Sequence, residues 1–213
     1  MKRIAILAAL LLMSVPGPAP AQGKVSDLYR RSYSLEARND VPGALAAMDE
    51  IASAGAVDYV FYLRKGWLQY LAGQYAPSAS AYGKAVELEP KAVEPRLGLM
   101  LPLMALRRWA EAEKAGQQVL GTAPGDFTAQ SRIAFIHYSQ GRFADAESWY
   151  RKALGGFPSN VEMRAGLGWS LLKLGNAAAA RAEFERILVI APDHASAKEG
   201  LAAVDAADAK GKR

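Results

Sequence analysis

Pro90, Pro124, Pro158 and Pro192 stand 34 residues apart, and a spacing kept through four prolines imposes a repeating unit on the whole chain. A residue that precedes proline is steered out of the helical region, so each proline marks the place where a helix stops. Other columns keep the same step. Ala112, Ala146 and Ala180 recur, joined upstream by Ser78 and Ala44; Tyr82, Tyr150 and Phe184 make a second column, and Ala85, Val119, Ala153 and Ile187 a third. Gly73, Gly141 and Gly175 form a fourth, with Asn39 in the matching upstream place. Glycine and asparagine are the residues that most readily adopt the left-handed conformation ending a helix.

Each unit therefore contains two helices. Within WAEAEKAGQQVL, Ala112, Ala115, Gly116 and Val119 recur at steps of three and four, which gathers them on one helical face with Glu111 and Lys114 off it. Pro42 and Pro77 follow the breaks at Asn39 and Gly73, where a first-turn proline removes an N–H that has no partner anyway. The second clear unit departs from the others. It carries Pro95 and Pro102 in its first helix, Met100 in its small-residue place and Arg107 in its glycine place. Pro102 removes a hydrogen bond and presses on the Gly98 carbonyl, so a kink is expected there, with Gly98 easing the clash.

The pattern resembles the tetratricopeptide repeat, which runs W-x2-L-G-x2-Y, then A-x3-F, then P. The likeness extends from about Asp27 to Pro192 and is sharpest in EAEKAGQQVLGTAP and DAESWYRKALGGFP. It is looser in the first helices: the family's tryptophan place holds Leu28, Tyr62, Arg96, Gln130 and Arg164, and its small-residue place Ser32, Gly66, Met100, Ala134 and Gly168. The expected fold is all-α, a right-handed superhelical solenoid of antiparallel helix pairs with four to five repeats and a C-terminal capping helix. The expected divisions are a leader over 1–21, a degenerate pair over 22–56, repeats over 57–90, 91–124, 125–158 and 159–192, a capping helix over 193–209 and a basic tail over 210–213.

In such a solenoid the first helices line the concave side. Their packing stripe contains the small-residue place, and the stripe one residue further round faces the groove. Through five repeats that stripe reads Tyr29, Tyr33, Glu36; Leu63, Trp67, Tyr70; Leu97, Leu101, Met104; Ser131, Phe135, Tyr138; Ala165, Trp169, Leu172. Only Glu36 and Ser131 are polar, so the first helices are apolar on two sides. One reading is packing between neighbouring first helices. The other, preferred here, is an aromatic floor for a peptide or amphipathic helix, because tryptophan and tyrosine dominate binding energy at such surfaces. Arg132 is placed with this groove, and Arg64, Arg132 and Arg164 are expected to edge it as solvated charges. The family's carboxylate clamp of Lys, Asn and Arg is not built, because its lysine and asparagine places hold Leu63, Trp67, Leu97 and Leu101.

The N-terminus has Lys2 and Arg3, an apolar run from Ile4 to Met13, then Ala19-Pro20-Ala21, which is the pattern of a secretory leader cut after Ala21. The apolar run is short for a membrane span, so none is expected once the leader is removed, and the expected location is the bacterial periplasm. With no cysteine, disulfides, lipid attachment and thiolate metal sites are excluded. A formal charge of +5, partly in Lys2, Arg3 and the C-terminal tail, makes no basic face, so nucleic acid is not an expected partner.

Catalysis is not expected either. The two histidines stand apart: His137 falls in a column otherwise holding Leu35, Leu103 and Leu171, and Asp193-His194 begins the last helix. No HExxH, GxSxG or phosphate-binding glycine loop occurs, and no metal or cofactor is expected. The resulting expectation is a monomeric or weakly associating adaptor for protein partners of the cell envelope. Two alternatives stand beside it: a glycan-binding accessory of polysaccharide export or wall synthesis, and a stabilising subunit of a permanent envelope assembly.

Overall fold

The computed structural model describes residues 20–211. The leader's charged and apolar segments and the last two residues of the basic tail lie outside the described residues. Among those described there are eleven helices and no strand. They fall into two compact units, one ending at Ala56 and the other beginning at Val57. The first unit contributes α1 (Pro20–Ala37) and α2 (Val41–Ser53). The second contributes α3 (Tyr59–Leu71), α4 (Tyr75–Leu88), α5 (Glu94–Ala105), α6 (Trp109–Thr122), α7 (Phe127–Ser139), α8 (Phe143–Gly156), α9 (Val161–Lys173), α10 (Ala177–Ile190) and α11 (Ala195–Gly211). In the second unit each helix packs on the next, and odd-numbered helices also touch the following odd-numbered one, which is the stacking of a helix-pair solenoid. No helix of the described residues is long and apolar enough to cross a membrane.

The periodic columns explain why the chain folds this way. Ala44, Ser78, Ala112, Ala146 and Ala180 are all fully buried, since only a small side chain lets the two helices of a pair approach. The turns between paired helices sit at Asn39, Gly73, Arg107, Gly141 and Gly175, and all five have positive φ, from 56° to 81°. Arg107 at φ 56° thus keeps the left-handed turn that its neighbours make with glycine, with Arg107 N–H donating to Met104 O at 3.0 Å and Arg108 N–H to Leu103 O at 2.8 Å. For a residue with a Cβ this conformation costs about 1 kcal/mol.

Starts are equally regular. The carboxylates of Asp58 and Asp126 and the side-chain oxygen of Asn160 accept the N–H groups of Phe61, Ala129 and Met163, and His194 Nδ1, in the same column, accepts that of Ala197 at 3.2 Å. The column holds Ala92 in the divergent repeat, and α5 starts without a side-chain cap, helped instead by Pro95 in its first turn. Pro102 does not end α5, which runs on to Ala105.

The aromatic column gives the stack its depth. Tyr82 lies against Gly66 of its own pair and Gly98 of the next; Phe184 lies against Gly168 and Gly200; Tyr150 lies against Gly166. A Cβ at Gly66 would come within 2.9 Å of the Tyr82 ring and one at Gly168 within 2.7 Å of Phe184, and at Gly98, Gly166 and Gly200 it would collide outright. Gly98 is therefore required by the ring seated on it. Burial pushes the Tyr82 and Tyr150 hydroxyls up to about 12.

The family's tryptophan place has a different use here. Arg96 donates to Pro90 O at 2.6 Å, Gln130 to Pro124 O at 2.9 Å, and Arg164 to Pro158 O, each reaching back six residues to the periodic proline. In each case a long polar side chain satisfies a carbonyl left open at the helix stop.

Candidate functional site

The expected solvated arginines are a correction. Arg64 is buried, and Arg164 is largely buried, with its guanidinium 2.7 Å from Glu183, which also accepts from Arg186 at 2.9 Å. Arg132 is half-buried and donates to the carbonyl of Leu97 on α5, one residue from Gly98, whose carbonyl Pro102 leaves without its usual donor. Loss of solvent pulls the Arg132 guanidinium below its ordinary value, opposed by the nearby Tyr70 and Tyr82. These places face neighbouring helices, where a guanidinium is retained only by finding acceptors.

The predicted floor is divided by the fold. Tyr29 and Tyr33 lie on α1 in the first unit, Tyr29 half-buried and Tyr33 exposed. In the second unit Leu63, Trp67 and Tyr70 are half-buried; the Trp67 and Tyr70 rings stack at 6.0 Å, and Tyr70 meets Tyr75 at 5.7 Å. Leu101 and Met104 are half-buried on α5, with Met104 packed on the core formed by Met100, Leu103 and Ile133; Leu172 packs on the core around Phe184.

Phe135, Tyr138 and Trp169 are brought together. They line one cleft between α7 and α9, closed by Tyr150, Gly166 and Ser196. Trp169 is anchored on both sides, its indole N–H donating to Ser196 Oγ at 2.8 Å and its ring meeting Phe184 edge-on at 5.4 Å. Tyr138 leans on Phe143 at 5.4 Å. Phe135 is 48% exposed, the most open ring of the three. The same residues continue into a second cleft of about 610 Å³, where Phe135, Tyr138 and Lys173 are joined by Arg107, Trp109 and Phe143.

Sequence reasoning passed over Trp109, Phe143, Arg107 and Lys173. A signal existed for the two aromatics, because Tyr75, Trp109, Phe143 and Ala177 form another 34-residue column at the starts of the second helices. Lys173 has no periodic counterpart: its column holds Leu71, Ala105 and Ser139. Beside the cleft, His137 is buried with Nε2 3.4 Å from Glu113, which also pairs with Arg142 at 3.3 Å. Burial holds His137 below the usual histidine range against the pull of Glu113. Among the described residues no group of three or more His, Cys, Asp or Glu side chains is placed to hold a metal.

Helix pairs in a 34-residue frame, left-handed interhelix turns and aromatic rings seated on glycine define a tetratricopeptide-repeat protein-interaction fold. Two tetratricopeptide repeat profiles match the chain, over residues 97–161 and 137–204, so the stretch 97–204 consists of such repeats. Among solved structures the chain resembles MamA 41-end from Desulfovibrio magneticus RS-1, with TM-score 0.74 and 16% identity over 81% of this chain and 97% of that one. It also resembles YrrB, described as a TPR protein with an unusual peptide-binding site, with TM-score 0.68 and 16% identity over 85% of this chain and 97% of that one. A curated relative, the CTR9 homolog of Arabidopsis thaliana, is 31% identical over 133 residues, which are 62% of this chain and 12% of that protein. The aligned part is thus a small fraction of that relative's length.

Proposed function

We propose that the chain is a non-catalytic adaptor of the bacterial cell envelope that binds a peptide or helix of a protein partner in its aromatic cleft. The observation that carries the reading is the three-ring wall of Phe135, Tyr138 and Trp169, in which Phe135 is left 48% exposed although its neighbours Ile133, Ala134, Ile136 and His137 are buried. An exposed phenylalanine between two anchored rings gains by taking a partner's apolar side chain, since the wall is already ordered and little entropy is lost on binding. The likeness to YrrB, a peptide-binding repeat protein by its description, supports the same mode. The envelope setting rests on the leader pattern of Lys2 to Ala21.

The test is a selection of random twelve-residue peptides on the chain, followed by titration of the recovered peptides into the native protein and Phe135→Ala. Phe135 is too exposed for this change to alter the thermal midpoint appreciably. Saturable binding that weakens by about tenfold in the variant is expected of a ring at the centre of an interface. Equal affinity for both proteins would remove the cleft from the function. Fusion of residues 1–21 to a reporter active only after export checks the location.

A further inference from the structure

Arg107 occupies a turn place that is glycine in three of its four counterparts, at φ 56°, where a side chain is a burden to the backbone. Nothing within the turn uses its guanidinium. Arg108, beside it, pairs with Glu111 through two bonds of 2.7 and 2.6 Å, whereas Arg107 has no ion pair or side-chain hydrogen bond among the described residues. It lines the cleft that contains Phe135. Lys173 lines the same cleft and likewise has no acidic partner among the described residues.

The acids around them are engaged elsewhere. Glu113 and Asp145 pair with Arg142, at 3.3 and 3.0 Å, and Glu162, which lines the part of the cleft that contains Trp169, lies 3.2 Å from His194. The Arg107 part of the cleft therefore has two unpaired cations and no carboxylate in its lining, Lys173 standing where it joins the Trp169 part that Glu162 lines. That polarity selects an occupant.

We infer that the Arg107–Lys173 end receives an acidic segment of a partner protein, with an Asp or Glu carboxylate set between the two cations and the adjoining aromatic or aliphatic side chain against Phe135. The inference rests on the peptide-binding reading above and specifies the chemistry of the peptide. A planar guanidinium suits bidentate capture of a carboxylate, and a strained backbone retained at a place open to glycine suits a side chain kept for binding rather than for the turn.

Peptides recovered by selection on the full chain, and copies of them with every Asp and Glu changed to Asn and Gln, are titrated by fluorescence anisotropy at low and high salt. The expected result is an excess of acidic residues beside an aromatic or aliphatic one, with the amide copies about tenfold weaker and the acidic peptides losing affinity as salt rises. Arg107→Gly is expected to lower affinity for the acidic peptides by about fivefold while raising the thermal midpoint by about 3 °C, because glycine relieves the turn. Lys173→Ala lowers affinity without the thermal gain. Binding that ignores both substitutions and the amide change but is lost in Phe135→Ala overturns the acidic assignment and leaves the peptide reading standing. Binding indifferent to Phe135→Ala removes both. Tighter binding of an oligothymidine than of any acidic peptide overturns the inference in favour of a polyanion site.

Discussion

The pair α5–α6 and the pair α9–α10 occupy the same frame with opposite local chemistry. In α9–α10 both helices have side-chain caps, from Asn160 and Asn176, the turn is Gly175, and Phe184 fills the space over Gly168 and Gly200. In α5–α6 neither helix has a side-chain cap, Pro102 interrupts the hydrogen-bond ladder, the turn is Arg107, and Gly116 stands where the aromatic ring should be. Yet Met100, Ala112 and Val119 are fully buried in the irregular pair, as Ala180, Phe184 and Ile187 are in the regular one. The core places are kept while caps and turns are given up. Caps and turns are each worth about 1 kcal/mol, whereas a core side chain is worth several, so packing outweighs them. The irregularity lies where the cleft begins.

The comparison is broken most severely by Phe184→Ala, expected to cost about 4 kcal/mol, as it empties the space over two glycines at once. Chemical denaturation measures it; a cost below that of Met100→Ala would mean that the regular pair is not held chiefly by its ring. Next comes Glu183→Gln, which leaves Arg164 and Arg186 without their carboxylate and is expected to cost about 2 kcal/mol. The irregular pair has no equivalent loss to suffer. Arg107→Gly and Gly141→Arg should move stability in opposite directions, each by about 1 kcal/mol, since they exchange strain for relief at the same turn. Calorimetry showing the same sign for both would mean that the turn geometry is not what sets the difference.

The smallest effect concerns pH. His137 is held below its ordinary value of 6.5 by burial and is faced by Glu113, Asp145 and Arg142. The unfolded chain therefore takes up a proton before the folded one does. Stability is complete above that ordinary value and declines as pH falls below it, levelling once the folded histidine is itself protonated. Denaturant midpoints measured between pH 7.5 and 5 should decline in the native protein and decline less in His137→Leu, the residue that its column holds at 103 and 171.

Much of the fold was legible because its determinants recur. A stacked repeat puts the same contact at the same place in each unit, so Ala112, Ala146 and Ala180, or Gly73, Gly141 and Gly175, announce buried approaches and left-handed turns before any coordinates exist. Gly98 has a second reason that its sequence neighbourhood does not show, the ring of Tyr82 sixteen residues away, because that contact exists only once the helix pairs stack. Arg64, Arg132 and Arg164 are not solvated charges, which their stripe alone does not reveal. The partners of Arg132 and Arg164 belong to other helices or to the preceding proline, and a helical stripe says which side a residue faces but not what stands there.

Residue spacing fixes the period, the helix pairs, the small and aromatic columns and the apolar stripe of the first helices, because all of these follow from contacts within one or two helices. Packing between helix pairs sets which aromatics meet, ties Trp169 to Ser196 while Phe135 stays open, and brings Arg107 and Lys173 beside the same cleft. Those two cations are 66 residues apart with no common column. Their meeting is set by the way successive helix pairs rotate as they stack, a property of packed surfaces rather than of any single repeat.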